Sequence, residues 1–373
     1  MKIPGFKLEE YFTQHEFSVP YMLGSSDPET STLAELLQMA DNDSLALWNN
    51  LRLSYTEYYG LPALRDEISK LYTKQTQKNV LVFAGAQEAI YITMNILLKP
   101  QDEVVVITPC YQSLKEIAKT LGAKVIEVGL QWQNSHWDLD FEQFKAAVNS
   151  KTKMIIVNFP HNPTGYMPDH KTFQAIIDLA RQYNAYLFSD EVYRLSEYNV
   201  NDRLPNAADC YEKALSLGVM SKSFGLAGLR IGWLVTQDTA LLGEYASYKN
   251  YTSMCNSAPS EVLAVIALKN KAHILKRNLA ITQHNLQRLE QFFSHYRSLF
   301  ESYSPKAGFV LFPRLKIDIA IDTFAEQLTA QEGVLIIPGT LFDTTTNHFR
   351  MGLGRRNFPE ALERFERFIQ QYA

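Results

Sequence analysis

The sequence predicts an α/β fold built on a mostly parallel sheet. Two observations predict it: short β-rich runs alternate with amphipathic helical patterns, and the polar residues of chemical interest fall where those runs end. VLVFAG (80–85) reads as a strand leading into the helix-like AQEAIYITMNILL. EVVVITP (103–109) leads into YQSLKEIAKTLG, and AKVIEVGL (123–130) follows it. KMIIVNFP (153–160), the helical TFQAIIDLARQYN (172–184), AYLFSD (185–190) and LSLGVMS (215–221) complete the alternation. In sheets of this kind ligands sit at the carboxyl ends of the strands. The last third of the chain reads differently. A long helical stretch covers about 259–300 and breaks once near Asn270; short strands at 308–313 and 334–337 and a final helix, PEALERFERFIQQYA, follow. A smaller α+β lobe is expected there, with the N-terminal residues packed on it. The expected division is a large domain over 45–275 and a small one from 1–44 and 276–373.

Length and composition fit this reading. The chain has 373 residues, 46% hydrophobic and 20% charged, which is ordinary for a globular protein and excludes a disordered or collagen-like chain. Lys and Arg total 36 against 40 Asp and Glu, a formal net charge of -4, so no electrostatic footprint for nucleic acid is present. Cys110, Cys210 and Cys255 form no CxxC pair, which supports neither a disulfide framework nor a zinc ribbon and fits a reduced, cytoplasmic setting. The start, MKIPGFKLEEYF, lacks the apolar core of a signal peptide, and Gln87 and Glu88 interrupt the apolar stretch over 80–98, so no membrane span is expected. The histidines show no metal-ligand spacing, and no metal is expected.

Four segments carry chemistry. SKSFGLAGLRIGW (221–233) places Lys222 just after an apolar run and Arg230 eight residues later, among Gly225, Gly228 and Gly232. A lysine in a partly dry pocket becomes a nucleophilic amine able to form a Schiff base, and an arginine fork suits phosphate. Together they fit an aldehyde cofactor that carries a phosphate. NFPHNPTG (158–165) and LFSDEVY (187–193) both follow or end strands. Asp190 ends an apolar strand, where an unpaired carboxylate would be costly, and a cation such as a protonated pyridine nitrogen would relieve that cost. Asn162 and Tyr193 can both hydrogen-bond a phenolate oxygen. In FAGAQEA (83–89) a strand-to-helix turn offers the N–H groups of Gly85, Ala86 and Gln87 to an anion, although neither GxxxxGK nor GxGxxG is present. Each segment alone also reads as an ordinary turn, cap or surface charge.

Their joint order resembles the class I/II aminotransferases, which are fold-type-I pyridoxal-phosphate enzymes, over nearly the full chain. The resemblance rests on YTEYYGLPALRDEI (55–68), AGAQEAI (84–90), TPCY (108–111), NFPHNPTG, SDEVY, SKSFGLAGLRIG and FRMGLGRRNFPEAL (349–362). It implies a seven-stranded, mostly parallel sheet flanked by helices, a smaller α+β domain from both chain ends, and pyridoxal 5'-phosphate as cofactor. It implies that Lys222 is the Schiff-base lysine and proton carrier, that Asp190 pairs with the ring nitrogen, and that Asn162 and Tyr193 bind the phenolic oxygen. By the same resemblance Tyr111 stacks on the ring. Gly85, Ala86, Gln87, Ser221 and Arg230 hold the phosphate, and Tyr55 reaches the phosphate of a neighbouring subunit in a homodimer. Arg350 matches the clamp on the substrate α-carboxylate, and Ser25 lies where relatives cover the substrate, beside Ser26 and Gly24.

Two positions depart from the family pattern. Val219 stands where many relatives have a phosphate-binding hydroxyl, and Thr252 is the nearest counterpart of the second arginine used by dicarboxylate-specific members. Arg314, Arg355 and Arg356 are other arginines of the chain; His161 is expected to orient or support. The side-chain pocket is expected from 15–30, 108–112, 251–258 and 308–312, in part from the other subunit. The expected function is amino-group exchange between an α-amino acid and a 2-oxo acid; the alternative is a lyase, decarboxylase, synthase or cyclase on the same cofactor. A DNA-binding regulator is disfavoured, because aminotransferase-like sequence begins almost at once.

Overall fold

The computed structural model describes residues 3–372. A seven-stranded sheet is formed by β1 (Val80–Phe83), β2 (Glu103–Thr108), β3 (Lys124–Gly129), β4 (Thr152–Asn158), β5 (Tyr186–Asp190), β6 (Ala214–Val219) and β7 (Gly232–Val235). Their spatial order is β1-β7-β6-β5-β4-β2-β3. β7 runs antiparallel to both neighbours, β1 and β6, and the other pairings are parallel. The six strands expected from the apolar runs fall within two residues of their expected starts. β7 is the strand the sequence reading did not separate from the glycine-rich segment before it.

Both faces of the sheet are covered, which is why its strands read as continuous apolar runs rather than alternating ones. Side chains still alternate between the faces. Val104 and Val106 pack with Ile90, Met94 and Tyr245 on one side; Val105 and Ile107 pack with Phe173, Ile176 and Ile177 on the other. The covering helices include Ala86–Leu97, Ser113–Thr120, His170–Gln182 and Thr239–Lys249.

A second core is built on a three-stranded antiparallel sheet, with Phe349–Gly352 between Val310–Leu311 and Ile337–Pro338. Helices Ile321–Glu332 and Phe358–Ile369 and the far half of Lys271–His295 pack on it through Phe324, Leu328, Phe365, Ile369 and Leu289. In the last helix Phe358, Ala361, Leu362, Phe365, Phe368 and Ile369 are buried, the spacing of one helical face. The long helical region does break at Asn270, whose side-chain amide donates to the carbonyls of Ile266 and Met39.

The N-terminal chain is divided between the two cores. Leu8, on helix Lys7–His15, packs in the core that contains Phe173 and Ile177, whereas Leu23 packs with Phe349 and Met351. Residues 21–30 therefore bridge from one core to the other, across the carboxyl ends of the parallel strands.

Candidate active site

The strand ends open into a cleft of about 560 Å³. β1 delivers the turn at Gly85, β2 delivers Tyr111, β4 delivers Asn158 and Asn162, β5 ends on Asp190, and β6 leads to Ser221 and Lys222. Residues more than a hundred positions apart in sequence are thus brought to one edge, by parallel pairing of β2, β4, β5 and β6 and, for the turn at Gly85, by the antiparallel strand β7 between β6 and β1.

The turn after β1 is shaped by glycine. Gly85 caps helix Ala86–Leu97 with φ +92°, a left-handed conformation that L side chains rarely adopt. A Cβ there would lie 2.6 Å from Nη2 of Arg230, so the guanidinium rests against the bare glycine. Arg230 is itself left-handed, at φ 52°, which swings its side chain back over the helix start. Gly232, first in β7, lets that strand pass the turn: a Cβ on it would be 2.6 Å from the carbonyl carbon of Gly85. Ala86, Gln87, Ser221 and Arg230 all line the cleft. The unpaired N–H groups of the helix start and the Arg230 guanidinium together make an anion seat. Val219 lines the same wall and contributes no hydroxyl.

Deeper in, Asp190 is 5% exposed. Burial pushes its carboxyl up to about 7, against a smaller downward pull from the Val192 N–H, which donates to Oδ1 at 3.2 Å, and from Lys222. Asn158 fixes this corner: its amide donates to the Asp190 carbonyl at 3.0 Å and its Oδ1 accepts from the Asn162 N–H at 2.9 Å. Tyr193 is 2% exposed and its hydroxyl has no partner within the protein. Lys222 Nζ donates to Ser26 Oγ at 2.8 Å and lies 5.8 Å from the centre of the Tyr193 ring.

Arg350, in the strand Phe349–Gly352, is fully buried. Its Nε and Nη2 donate to the Gly24 carbonyl at 3.2 and 3.0 Å, and its Nη1 donates to Asn162 Oδ1 at 3.0 Å. The segment 24–27 can press this closely because Gly352 has no side chain; a Cβ there would stand 1.9 Å from the Ser25 carbonyl oxygen.

Ser25, Ser26 and Asp27 line the cleft, as does Tyr111, whose hydroxyl donates to Glu9 Oε1 at 2.9 Å. Residues 251–258 and 308–312 do not line it in this chain. Thr252 instead caps Glu88 through its hydroxyl, Arg314 faces Glu301 at 3.6 Å, and Arg355 pairs with Asp27 at 2.7 Å. Tyr55 stands outside the cleft and is 85% exposed. His161 is buried behind Asn162, with Nδ1 2.8 Å from Thr164 Oγ1; burial lowers its pKa to about 3 and keeps it neutral. The sequence reading missed Asn158 and the wall supplied by helix Lys7–His15, namely Leu8, Glu9 and Phe12 with the preceding Phe6. The period of that helix is legible, but nothing in it says that it covers a cleft. Among the described residues no cluster of three or more His, Cys, Asp or Glu side chains is placed to hold a metal ion, and no helix is long and apolar enough to cross a membrane.

The family model "Aminotransferase class I and II" matches residues 21–365. The chain belongs to this family. A pyridoxal-phosphate-dependent aminotransferase from Streptococcus suis superposes with a TM-score of 0.93 at 29% identity, covering 100% of this chain and 99% of its own. Capreomycidine synthase from Streptomyces vinaceus is 28% identical over 91% of this chain and 87% of its own length. Aspartate aminotransferase from Sulfolobus acidocaldarius is 27% identical over 85% and 83%. The chain is accordingly an aminotransferase that works with pyridoxal 5'-phosphate, and the cleft fits that group. A buried hydroxyl without a partner at Tyr193, a carboxyl held up near 7 at Asp190 and an anion seat at Gly85 match its phenolic oxygen, ring nitrogen and phosphate.

Proposed function

We propose that this aminotransferase moves an amino group from an α-amino acid to a 2-oxo acid with Lys222 as the group that carries the proton. The carrying observation is that Lys222 Nζ, the Asp190 carboxyl and the orphan Tyr193 hydroxyl line one cleft at the strand ends. Bound pyridoxal phosphate supplies an electron sink for charge developing at the substrate α-carbon.

The chain's own residues do the rest. The Gly85, Ala86 and Gln87 N–H groups, Ser221 and Arg230 would hold the phosphate. Asp190 would pair with the ring nitrogen and favour a proton there, because a cation beside this buried carboxyl relieves its desolvation. Tyr193 and Asn162 would donate to the phenolic oxygen, and Tyr111 would cover one face of the ring. Lys222 Nζ would hold the aldehyde end of the cofactor, and its free amine would move a proton to and from the substrate α-carbon. Arg350 clamps the α-carboxylate with its planar fork and exchanges the Gly24 carbonyl for that anion. Ser25 closes the cleft above.

The assembly we infer is a homodimer. Tyr55 is 85% exposed, and Leu53, Tyr58, Tyr251 and Met254 are also exposed, an apolar surface that a second copy would cover while Tyr55 completes its phosphate seat. The lobes are proposed as 45–275 and 1–44 with 276–373. Three free cysteines support a reducing, cytoplasmic setting.

A second reading, a synthase or cyclase that rearranges an amino acid on the same cofactor, is favoured by the likeness to capreomycidine synthase. One experiment separates them. Single amino acids are added to the purified holoenzyme and its visible spectrum is followed. Transamination predicts loss of the aldehyde absorbance with a donor and its return with a 2-oxo acid. Product formed over many turnovers without any 2-oxo acid selects the second reading.

A further inference from the structure

The charge of the cleft changes from floor to mouth. Among the described residues two cations line its walls, Lys222 and Arg230, and in the placement proposed above the cofactor's aldehyde and phosphate would use both. Arg350 is taken by the α-carboxylate. Among the described residues no further Lys or Arg lines the cleft to meet a second carboxylate. The mouth is acidic instead: Glu9, Glu16 and Asp27 line it beside the rings of Phe6, Phe12 and Tyr111.

These carboxylates are not equivalent. Asp27 is neutralised by Arg355 at 2.7 Å, and Glu9 accepts the Tyr111 hydroxyl at 2.9 Å. Glu16, at the C-terminal cap of helix Lys7–His15, forms no ion pair with the described residues. Its carboxyl is raised by partial burial and by the Asp27 and Glu9 charges, against weaker pulls from Arg355 and Lys222. Glu16 carries no counter-charge of its own beside Glu9, and a carboxylate held up by burial and by neighbouring negative charge is stabilised by a cation placed against it. The neighbouring rings favour the same occupant, since ammonium and guanidinium groups are attracted to aromatic faces. Phe6 and Tyr111 stand with ring centres 5.0 Å apart, forming an apolar rim for an aliphatic stem. That the cleft is built for a ligand is shown separately by the buried, unpartnered Tyr193 hydroxyl on its floor.

We propose that the preferred amino acid carries a cationic side chain, an amine or guanidinium on a straight aliphatic stem, held at the cleft mouth by Glu16 and Glu9. The proposal rests on the placing of the cofactor and α-carboxylate described above, because those two fix the direction in which the side chain points.

Two readouts test it on the holoenzyme. Binding of labelled L-arginine and L-lysine is measured by equilibrium dialysis, with L-norleucine and L-glutamate as neutral and acidic comparisons, and the visible spectrum is recorded for each. The same series is run with Glu16→Gln and with Glu9→Gln/Glu16→Gln. The expected result is tighter binding of the cationic pair by about tenfold or more, and a fall of that preference by about tenfold in the double variant, the scale of one charge-assisted contact. Equal or better binding of norleucine or glutamate overturns the proposal, and so does a preference that survives both substitutions. Cationic preference without loss of the aldehyde absorbance upholds the proposal and sinks transamination. Spectral change with every amino acid alike does the reverse.

Discussion

Asp190→Asn separates the cost of a buried carboxylate from its use. In the cofactor-free protein the carboxyl titrates near 7 rather than at 3.8, because burial penalises the charged form. A raised acid means that the native state holds a proton the unfolded chain has lost. The associated stability is therefore complete below about 4 and drains away as pH rises to about 7. At 1.36 kcal/mol per tenfold in proton affinity, the two pH decades from 5 to 7 cost the cofactor-free protein roughly 3 kcal/mol. Asn keeps the Oδ1 that accepts from the Val192 N–H and cannot ionise, so this slope disappears in the variant. The assay is urea unfolding of wild type and variant, both freed of cofactor, at pH 5 and pH 8. The account predicts that wild type loses roughly 3 kcal/mol more than Asp190→Asn between these two values. The holoenzymes reverse the order. The ring nitrogen loses its counter-charge in the variant, and breaking such a buried pair costs roughly 3–5 kcal/mol, or about a hundredfold or more in cofactor affinity. Equal pH slopes in the two cofactor-free proteins would refute the reasoning, whatever the activities.

Other perturbations follow from the same geometry. Arg350→Lys replaces a fork that spans Gly24 and Asn162 with a single point charge, and kcat/KM for any amino acid is expected to fall by about a hundredfold while bound cofactor, read by absorbance, is retained. Gly352→Ala forces a methyl to within 1.9 Å of the Ser25 carbonyl, so segment 24–27 must shift. KM is expected to rise and the melting temperature to fall by several degrees, as for a loss of roughly 1–3 kcal/mol. Tyr193→Phe removes a buried hydroxyl that has no partner in the protein, so the cofactor-free form is expected to be no less stable by urea unfolding, while cofactor binds about tenfold more weakly.

Much of the fold was legible because parallel strands are buried on both faces. VLVF, EVVVIT and KMIIVN carry their burial openly, and Asn158, the polar residue that ends the last of them, stands at the edge where the cleft forms. Lys222, Asp190, Asn162, Tyr193 and Tyr111 do come together there, from positions spread over more than a hundred residues. Less legible was what depends on contact between distant segments. GWLV reads as the tail of a glycine-rich loop, and only its pairing with Phe83 and Val219 makes it an antiparallel strand. Helix Lys7–His15 shows one buried residue, Leu8, so its sequence gives no sign that Glu9 reaches Tyr111. Asn158 reads as the last residue of a strand; its role in tying Asp190 to Asn162 exists only where β4 and β5 lie side by side. The grip of Arg350 on the Gly24 carbonyl spans 326 residues and follows from the return of the chain's end to its beginning.

The central claim is that Lys222 is the residue bonded to the cofactor. Borohydride reduction of the holoenzyme makes that link permanent, and proteolysis with mass spectrometry then locates the pyridoxyl phosphate. The account predicts a single modified peptide containing SKSFGLAGLR, with the label on Lys222 and lost in Lys222→Ala. A label on any other lysine, or an unlabelled yellow protein, would contradict it.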